Sequence, residues 1–289
     1  MYKNSHFLSI LLYIYPPFPQ YKMVTNTKLL LTPKDLEPSF KHGVIKGVLN
    51  PAAIRLPNKK ILLYARVAES HEPKNNENLS CPVIISIKER SIHYNIFKKE
   101  DIIHKGKRII ILKNGTCRLP TISHFRKIIL DESGYNVEYI DKHPTYHGVP
   151  NESEYGVEDP RLTKIKNKYF LTYVGVSLHQ GVSTYLAESK DLKKWKRLGL
   201  IFREQNKDVT LFPEKINSKY VALNRPETLF EFSKPNIWIS YSPDLIHWGR
   251  DRSLIQDRKN SWESERNGAG CPPIKTKKGW LLIYHGVKR

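Results

Sequence analysis

The chain has 289 residues, with 48 Lys+Arg against 28 Asp+Glu, a formal net charge of +20, 39% hydrophobic residues and 26% charged ones. This is the composition of a folded globular protein of one large or two small domains, and it excludes a disordered or collagen-like chain. Three widely separated cysteines, Cys81, Cys117 and Cys271, give neither a disulfide framework nor a CxxC zinc site, and no apolar run reaches the roughly 18 residues of a membrane span.

At the N-terminus, Phe7 to Tyr15 is apolar, follows a single Lys3 and runs into Pro16-Pro17-Phe18-Pro19 with no small-residue cleavage site. Met23 then opens a polar start. Residues 1–22 therefore read as a non-core extension from a mis-assigned start rather than a signal peptide, and residues 23–289 as one cytoplasmic domain with unpaired cysteines. The positive residues are spread along the chain, as in Lys98-Lys99, Lys105 to Arg108, Lys193 to Arg197 and Lys275 to Lys278. No zinc finger, basic zipper or recognition helix accompanies them. The charge reads as a solvated lysine-rich surface and not as a nucleic-acid footprint.

The body of the chain repeats itself. A polar turn, an apolar strand and a large polar residue recur in Asn58 to Arg66, Asn167 to Tyr173, Asn217 to Arg225 and Lys277 to His285. Their anchors Ile61, Tyr169, Tyr220 and Trp280 are 108, 51 and 60 residues apart, and the first interval predicts a further copy near Thr121 to Arg126. In phase with these, Ser189-Lys190-Asp191-Leu192-Lys193-Lys194-Trp195 reappears as Ser242-Pro243-Asp244-Leu245-Ile246-His247-Trp248. Two motifs recurring together argue against unrelated hairpins, and scarce helical signals argue against a helical solenoid. The reading is an all-β protein, a five-bladed β-propeller with its last blade incomplete.

Five residues beyond each anchor stand Arg66, Val174, Arg225 and His285, which the repeat places at one mouth of a central channel. Three of the four are cationic or titratable, as suits an anion. Before the strand at Tyr169 lies Glu158-Asp159-Pro160-Arg161, whose adjacent carboxylates project to opposite sides of an extended segment. Leu211-Phe212-Pro213-Glu214-Lys215 precedes the next strand and reads as its equivalent. A charged turn is the plain alternative for either stretch.

These segments, with Asn50-Pro51-Ala52-Ala53, Asn224-Arg225-Pro226, Gly268-Ala269-Gly270-Cys271-Pro272-Pro273-Ile274 and Gly279 to Val287, resemble glycoside hydrolase family 130 from about residue 40 onward. The resemblance implies a five-bladed propeller acting on β-mannosides, mostly by inverting phosphorolysis. It implies Asp159 as general acid, Asn50, Glu158, Arg161, Arg225 and Tyr284 as sugar-binding residues, and Arg66, Lys215 and His285 as phosphate-binding residues. An inverting hydrolase needs two carboxylates, whereas phosphate is already an anionic nucleophile and needs cations to aim it.

The implied partners are a β-mannooligosaccharide and inorganic phosphate as co-substrate, giving mannose 1-phosphate. No cofactor, metal, nucleic acid or membrane is implied, and homo-oligomerisation is left open. The family pattern continues past Arg289, so the resemblance also implies a truncated last blade. The alternatives are a hydrolase on the same scaffold and a non-catalytic sugar-binding propeller.

Overall fold

The computed structural model describes residues 27–71, 78–86, 91–106, 108–227 and 232–288. The N-terminal extension at residues 1–22 lies outside them. Among the described residues the structure is all-β, with two short 3-10 turns and no α-helix. None of its helices is long and apolar enough to cross a membrane.

The first sheet is formed by β1 (Gly43–Arg55), β2 (Ile61–His71), β8 (Ile122–Leu130) and β9 (Val137–Ile140), in that order. Between β2 and β8 the chain makes a hairpin, β3 (Asn78–Ser86) with β4 (Ser91–Lys98), and a small sheet of β5 (Ile102–Lys105), β6 (Ile110–Leu112) and β7 (Cys117–Arg118). The second sheet is a meander of β10 (Val157–Ile165), β11 (Lys168–Ser177), β12 (Gly181–Ser189) and β13 (Lys196–Phe202). The third repeats that plan with β14 (Asn206–Leu211), β15 (Tyr220–Pro226), β16 (Ile237–Ser242) and β17 (Gly249–Ile255). A further hairpin interrupted near its middle follows, with β18 (Arg266–Ala269) paired to β21 (Tyr284–Val287) and β19 (Ile274–Thr276) paired to β20 (Gly279–Leu281).

The expected copy at Thr121 to Arg126 is therefore not a sheet of its own. It is β8, the third strand of the first sheet, pairing with β2 from Glu69↔Ile122 to Ile61↔Leu130. The long first interval reflects the material inserted between β2 and β8. The recurrences at Tyr169, Tyr220 and Trp280 do open the second strands of successive sheets.

The sheets stack face to face, and the core is the series of layers between them. Ala52, Leu62, Tyr64 and Phe125 of the first sheet meet Val157, Leu162, Leu171 and Tyr173 of the second. Ile165, Phe170 and Leu186 meet Val209, Leu211 and Ala222 of the third, whose Val221, Leu223 and Ile239 meet Ala269, Trp280 and Tyr284. Inner strands covered on both faces read as continuous apolar runs, as in Ile61-Leu62-Leu63-Tyr64-Ala65.

The Ser-x-Asp-Leu repeat is a turn clamp. In the turn after β12, Ser189 Oγ accepts from the backbone N–H groups of Asp191 and Leu192, and Asp191 Oδ1 accepts from those of Lys193 and Lys194. Ser242 and Asp244 do the same after β16. The clamps hold Leu192 and Leu245 at φ of 58° and 75°, a region that side chains with a Cβ rarely enter. Each clamp aims a tryptophan at the preceding sheet. Trp195 Nε1 donates to Tyr64 Oη at 3.0 Å, and Trp248 stacks on Phe202 with ring centroids 5.5 Å apart.

Candidate active site

The first strands of the three complete sheets share one irregularity. β1 is bulged between Leu49 and Ala52, β10 between Glu158 and Arg161, and β14 between Lys207 and Thr210. In each bulge one polar residue is left-handed: Asn50 at φ 37°, Asp159 at 50° and Asp208 at 53°. Asn and Asp tolerate this region best among residues with a side chain, and a bulge re-aims the side chain it carries. Three equivalent positions thus turn Asn50, Asp159 and Asp208 into one cavity of about 610 Å³.

Asp159 is almost enclosed. Its Oδ1 accepts from Asn50 Nδ2 at 2.6 Å and from Arg66 Nη1 at 3.1 Å. Arg66 also binds Glu158 Oε1 at 2.6 Å through Nη2 and Ser123 Oγ at 3.0 Å through Nε. Burial pushes the Asp159 carboxyl up, but Arg66, the Asn50 amide and Arg161 outweigh it and hold the group below the usual carboxylate range.

Asp208 gathers two guanidinium groups and an imidazole from three elements. Its Oδ1 lies 3.5 Å from Arg161 Nη2, and its Oδ2 meets Arg225 Nη1 and lies 3.3 Å from His285 Nε2. Glu227 Oε1 takes the Nε–Nη2 edge of the Arg225 guanidinium, accepting from Nε at 3.1 Å and Nη2 at 2.6 Å. Burial raises the Asp208 carboxyl, yet His285, Arg225 and Arg161 together leave it below its ordinary value. Lys207, Arg266 and Arg108 add positive charge to the cavity wall, Arg108 arriving from the inserted β5–β6 loop.

The expected site residues divide. Asn50, Asp159, Arg161, Arg225 and His285 line the cavity, with Arg66 and Glu158 directly behind Asp159. The register places Arg66, Val174, Arg225 and His285 opposite Leu49, Glu158, Lys207 and Gly268, at the cavity end of each sheet.

Lys215 and Tyr284 do not join them. β14 runs away from the cavity, so Glu214 and Lys215 follow its far end. Lys215 Nζ sits 4.4 Å from the Tyr220 ring centroid, and Glu214 pairs with Lys275 at 2.5 Å. The equivalent of Asp159 in the third sheet is thus Asp208, not Glu214. Tyr284 points to the opposite face from His285 because neighbouring strand residues alternate, and it stacks near Trp262 at 5.2 Å between centroids. Asp208 stands alone in Lys207-Asp208-Val209-Thr210, and only its place at a third bulge marks it.

The chain is similar over most of its length to proteins of one family. A family model for glycoside hydrolase family 130, described as beta-1,4-mannooligosaccharide phosphorylase, matches residues 126–289. The chain is 35% identical over 263 residues to a beta-1,2-mannobiose phosphorylase of Listeria innocua, covering 89% of this chain and 72% of that one. It is 42% identical over 160 residues to a 1,2-beta-oligomannan phosphorylase of Thermoanaerobacter sp., of whose length the match spans 51%. The solved Listeria innocua enzyme, in complex with beta-1,2-mannobiose, superposes with a TM-score of 0.82 at 34% identity, over 90% of this chain and 73% of that one.

Proposed function

The chain belongs to glycoside hydrolase family 130, and we propose that it phosphorolyses β-mannosides, transferring a mannosyl unit to inorganic phosphate with inversion. The observation that carries this reading is that one cavity holds both Asp159 and the Arg161–Arg225–His285 cluster. The sheet layout also fits blades of a five-bladed propeller, of which the described residues build three and part of a fourth.

In the proposed reaction a phosphate oxygen attacks the anomeric carbon, the glycosidic C–O bond breaks, and Asp159 gives its proton to the departing oxygen. Arg225 and His285 aim the phosphate, with Lys207 and Arg266 adding attraction at the wall. An anion bound among Arg161, Arg225 and His285 offsets part of the positive field at Asp159 and raises its proton affinity. Arg66 keeps Asp159 and Glu158 apart in role, gripping both while only Asp159 faces the cavity.

A hydrolase would need its second carboxylate as a base to activate water. Asp208 and Glu227 are the other carboxylates that line the cavity; both are paired with Arg225, and the partners of Asp208 hold it below the usual range, which makes it a weak base. This favours phosphorolysis. The two relatives described above carry the β-1,2 linkage in their names, and we take β-1,2-mannobiose as the first substrate to test.

The test is incubation with β-1,2-mannobiose and with β-1,4-mannobiose, each with and without inorganic phosphate. Mannose 1-phosphate formed only when phosphate is present is the expected result. Free mannose released at equal rates without phosphate would replace the reading by hydrolysis, and binding without turnover would replace it by a sugar-binding role.

A further inference from the structure

We propose that Asp208 is a positioning residue for the phosphate co-substrate: it orders Arg161, Arg225 and His285 into an anion-binding cluster and does not itself touch the reacting atoms. The inference rests on the phosphorolytic reading above.

Three observations support it. Both carboxylate oxygens of Asp208 are committed to basic side chains, two guanidinium groups and an imidazole from β10, β15 and β21, so one side chain ties three successive sheets together at the cavity. Its side chain is only 6% exposed and that of Arg225 7%, whereas His285 is 47% exposed and turns toward the open space. The carboxylate is therefore at the back of the cluster and the imidazole at its front.

The opposite strand also leaves room for this arrangement. A Cβ on Gly268 would run into the Asp208 carboxylate, would stand 2.6 Å from Arg225 Nη1, and would stand 3.0 Å from His285 Cε1. Gly268 has no left-handed backbone to explain it. Its missing side chain is what lets the cluster close.

Charge makes the role testable. Two guanidinium groups and an imidazole converge on the Asp208 carboxylate, and guanidinium groups bind oxyanions best when their planar fork is held in one orientation. Glu227 grips Arg225 from the other edge, so Asp208 fixes which edge remains for the ligand. A carboxylate that merely happened to be nearby would repel phosphate, and removing it would tighten binding. A carboxylate that orders the cations has the opposite effect when removed.

The experiment is Asp208→Asn, which keeps the shape and suits the left-handed backbone at this position. Titration calorimetry with inorganic phosphate alone reads binding without turnover, and steady-state kinetics with β-1,2-mannobiose read KM for each substrate. We expect the phosphate Kd and phosphate KM to rise by about tenfold or more, about 1.4 kcal/mol per tenfold, with the larger part of the loss in phosphate KM rather than in kcat or mannobiose KM. Gly268→Ala, which displaces the cluster without changing its charge, should weaken phosphate in the same way and serves if Asp208→Asn does not fold.

Unchanged or tighter phosphate binding in Asp208→Asn overturns the proposal, and so does an equal loss for phosphate and mannobiose. A wild-type protein that binds phosphate yet releases mannose without it overturns the phosphorolytic reading instead, and leaves the effect of Asp208 on phosphate binding to be read from calorimetry.

Discussion

The side-chain amide of Asn50 donates to Asp159 Oδ1 at 2.6 Å, across the boundary between the first and second sheets. Both residues are left-handed and both sit in the bulge of a first strand. The contact therefore joins two equivalent positions of the repeat, one of which has kept a neutral amide where the other carries the acid.

Asn50→Gly removes that amide while keeping a residue suited to positive φ. The Asp159 pKa is depressed in the folded protein, so the group contributes stability that is present above its unfolded value of about 3.9 and lost as pH falls through the folded value. Losing a hydrogen bond to a charged group costs about 2 kcal/mol at pH 7. Urea unfolding across pH should show the gap between variant and wild type narrowing as Asp159 becomes protonated. A gap independent of pH would detach the effect from Asp159.

Asp159→Asn should lower turnover of unactivated mannobiose by about 100- to 10,000-fold, the usual contribution of a general acid. Asn accepts φ 50° without backbone strain but loses the charge paired with Arg66, so the melting temperature at pH 7 should fall while the fold is kept. A nitrophenyl mannoside, whose leaving group needs little protonation, should be partly rescued. Full activity of the variant on mannobiose would remove Asp159 from the acid role.

Lys215→Met should leave phosphate KM unchanged, because Lys215 lies over the Tyr220 ring outside the cavity. Lys207→Met, which removes charge from the cavity wall, should raise phosphate KM several-fold. Phosphate titrations of the two variants side by side decide the point, and a large effect at Lys215 would contradict the placement described here.

Tyr64→Phe should destabilise the protein by about 1–3 kcal/mol, the cost of leaving buried hydrogen-bonding groups unmatched. Tyr64 is fully buried, donates to the Leu192 carbonyl at 2.7 Å and accepts from Trp195 Nε1, so one hydroxyl serves both the turn clamp and its tryptophan. Chemical denaturation reads the change. A neutral substitution would mean that the clamp holds without its inter-sheet anchor.

The repeat was legible wherever sheets follow one another as simple meanders. Tyr169, Tyr220 and Trp280 open equivalent strands, and counting along them reaches Val174, Arg225 and His285 at the cavity end. The count failed at the first sheet because an insertion and an extra blade leave the same gap between anchors.

Site residues were legible when carried by a dense motif, as with Glu158-Asp159-Pro160-Arg161, and obscure when a lone residue depended on register, as with Asp208. Lys215 lies seven positions beyond Asp208, and at roughly 3.3 Å per extended residue that distance is enough to leave a cavity of this size. Tyr284 differs from His285 by one step, and one step in a strand changes the face.

The insertion in the first sheet also bears on the order in which the protein assembles. The second and third sheets close through short turns, such as that between Ile165 and Lys168, whereas pairing β2 with β8 must close residues 70 to 121 into a loop. Relative to a tight hairpin that closure costs roughly 2 kcal/mol more in chain entropy. On loop entropy alone the meanders are expected to close ahead of the β2–β8 pairing, and Val157, Leu162 and Tyr173 are the surface on which the first sheet packs. Asn50 and Arg66 sit on the β1–β2 hairpin, which closes through the short turn between Arg55 and Ile61, so the partners of Asp159 do not depend on closing that loop.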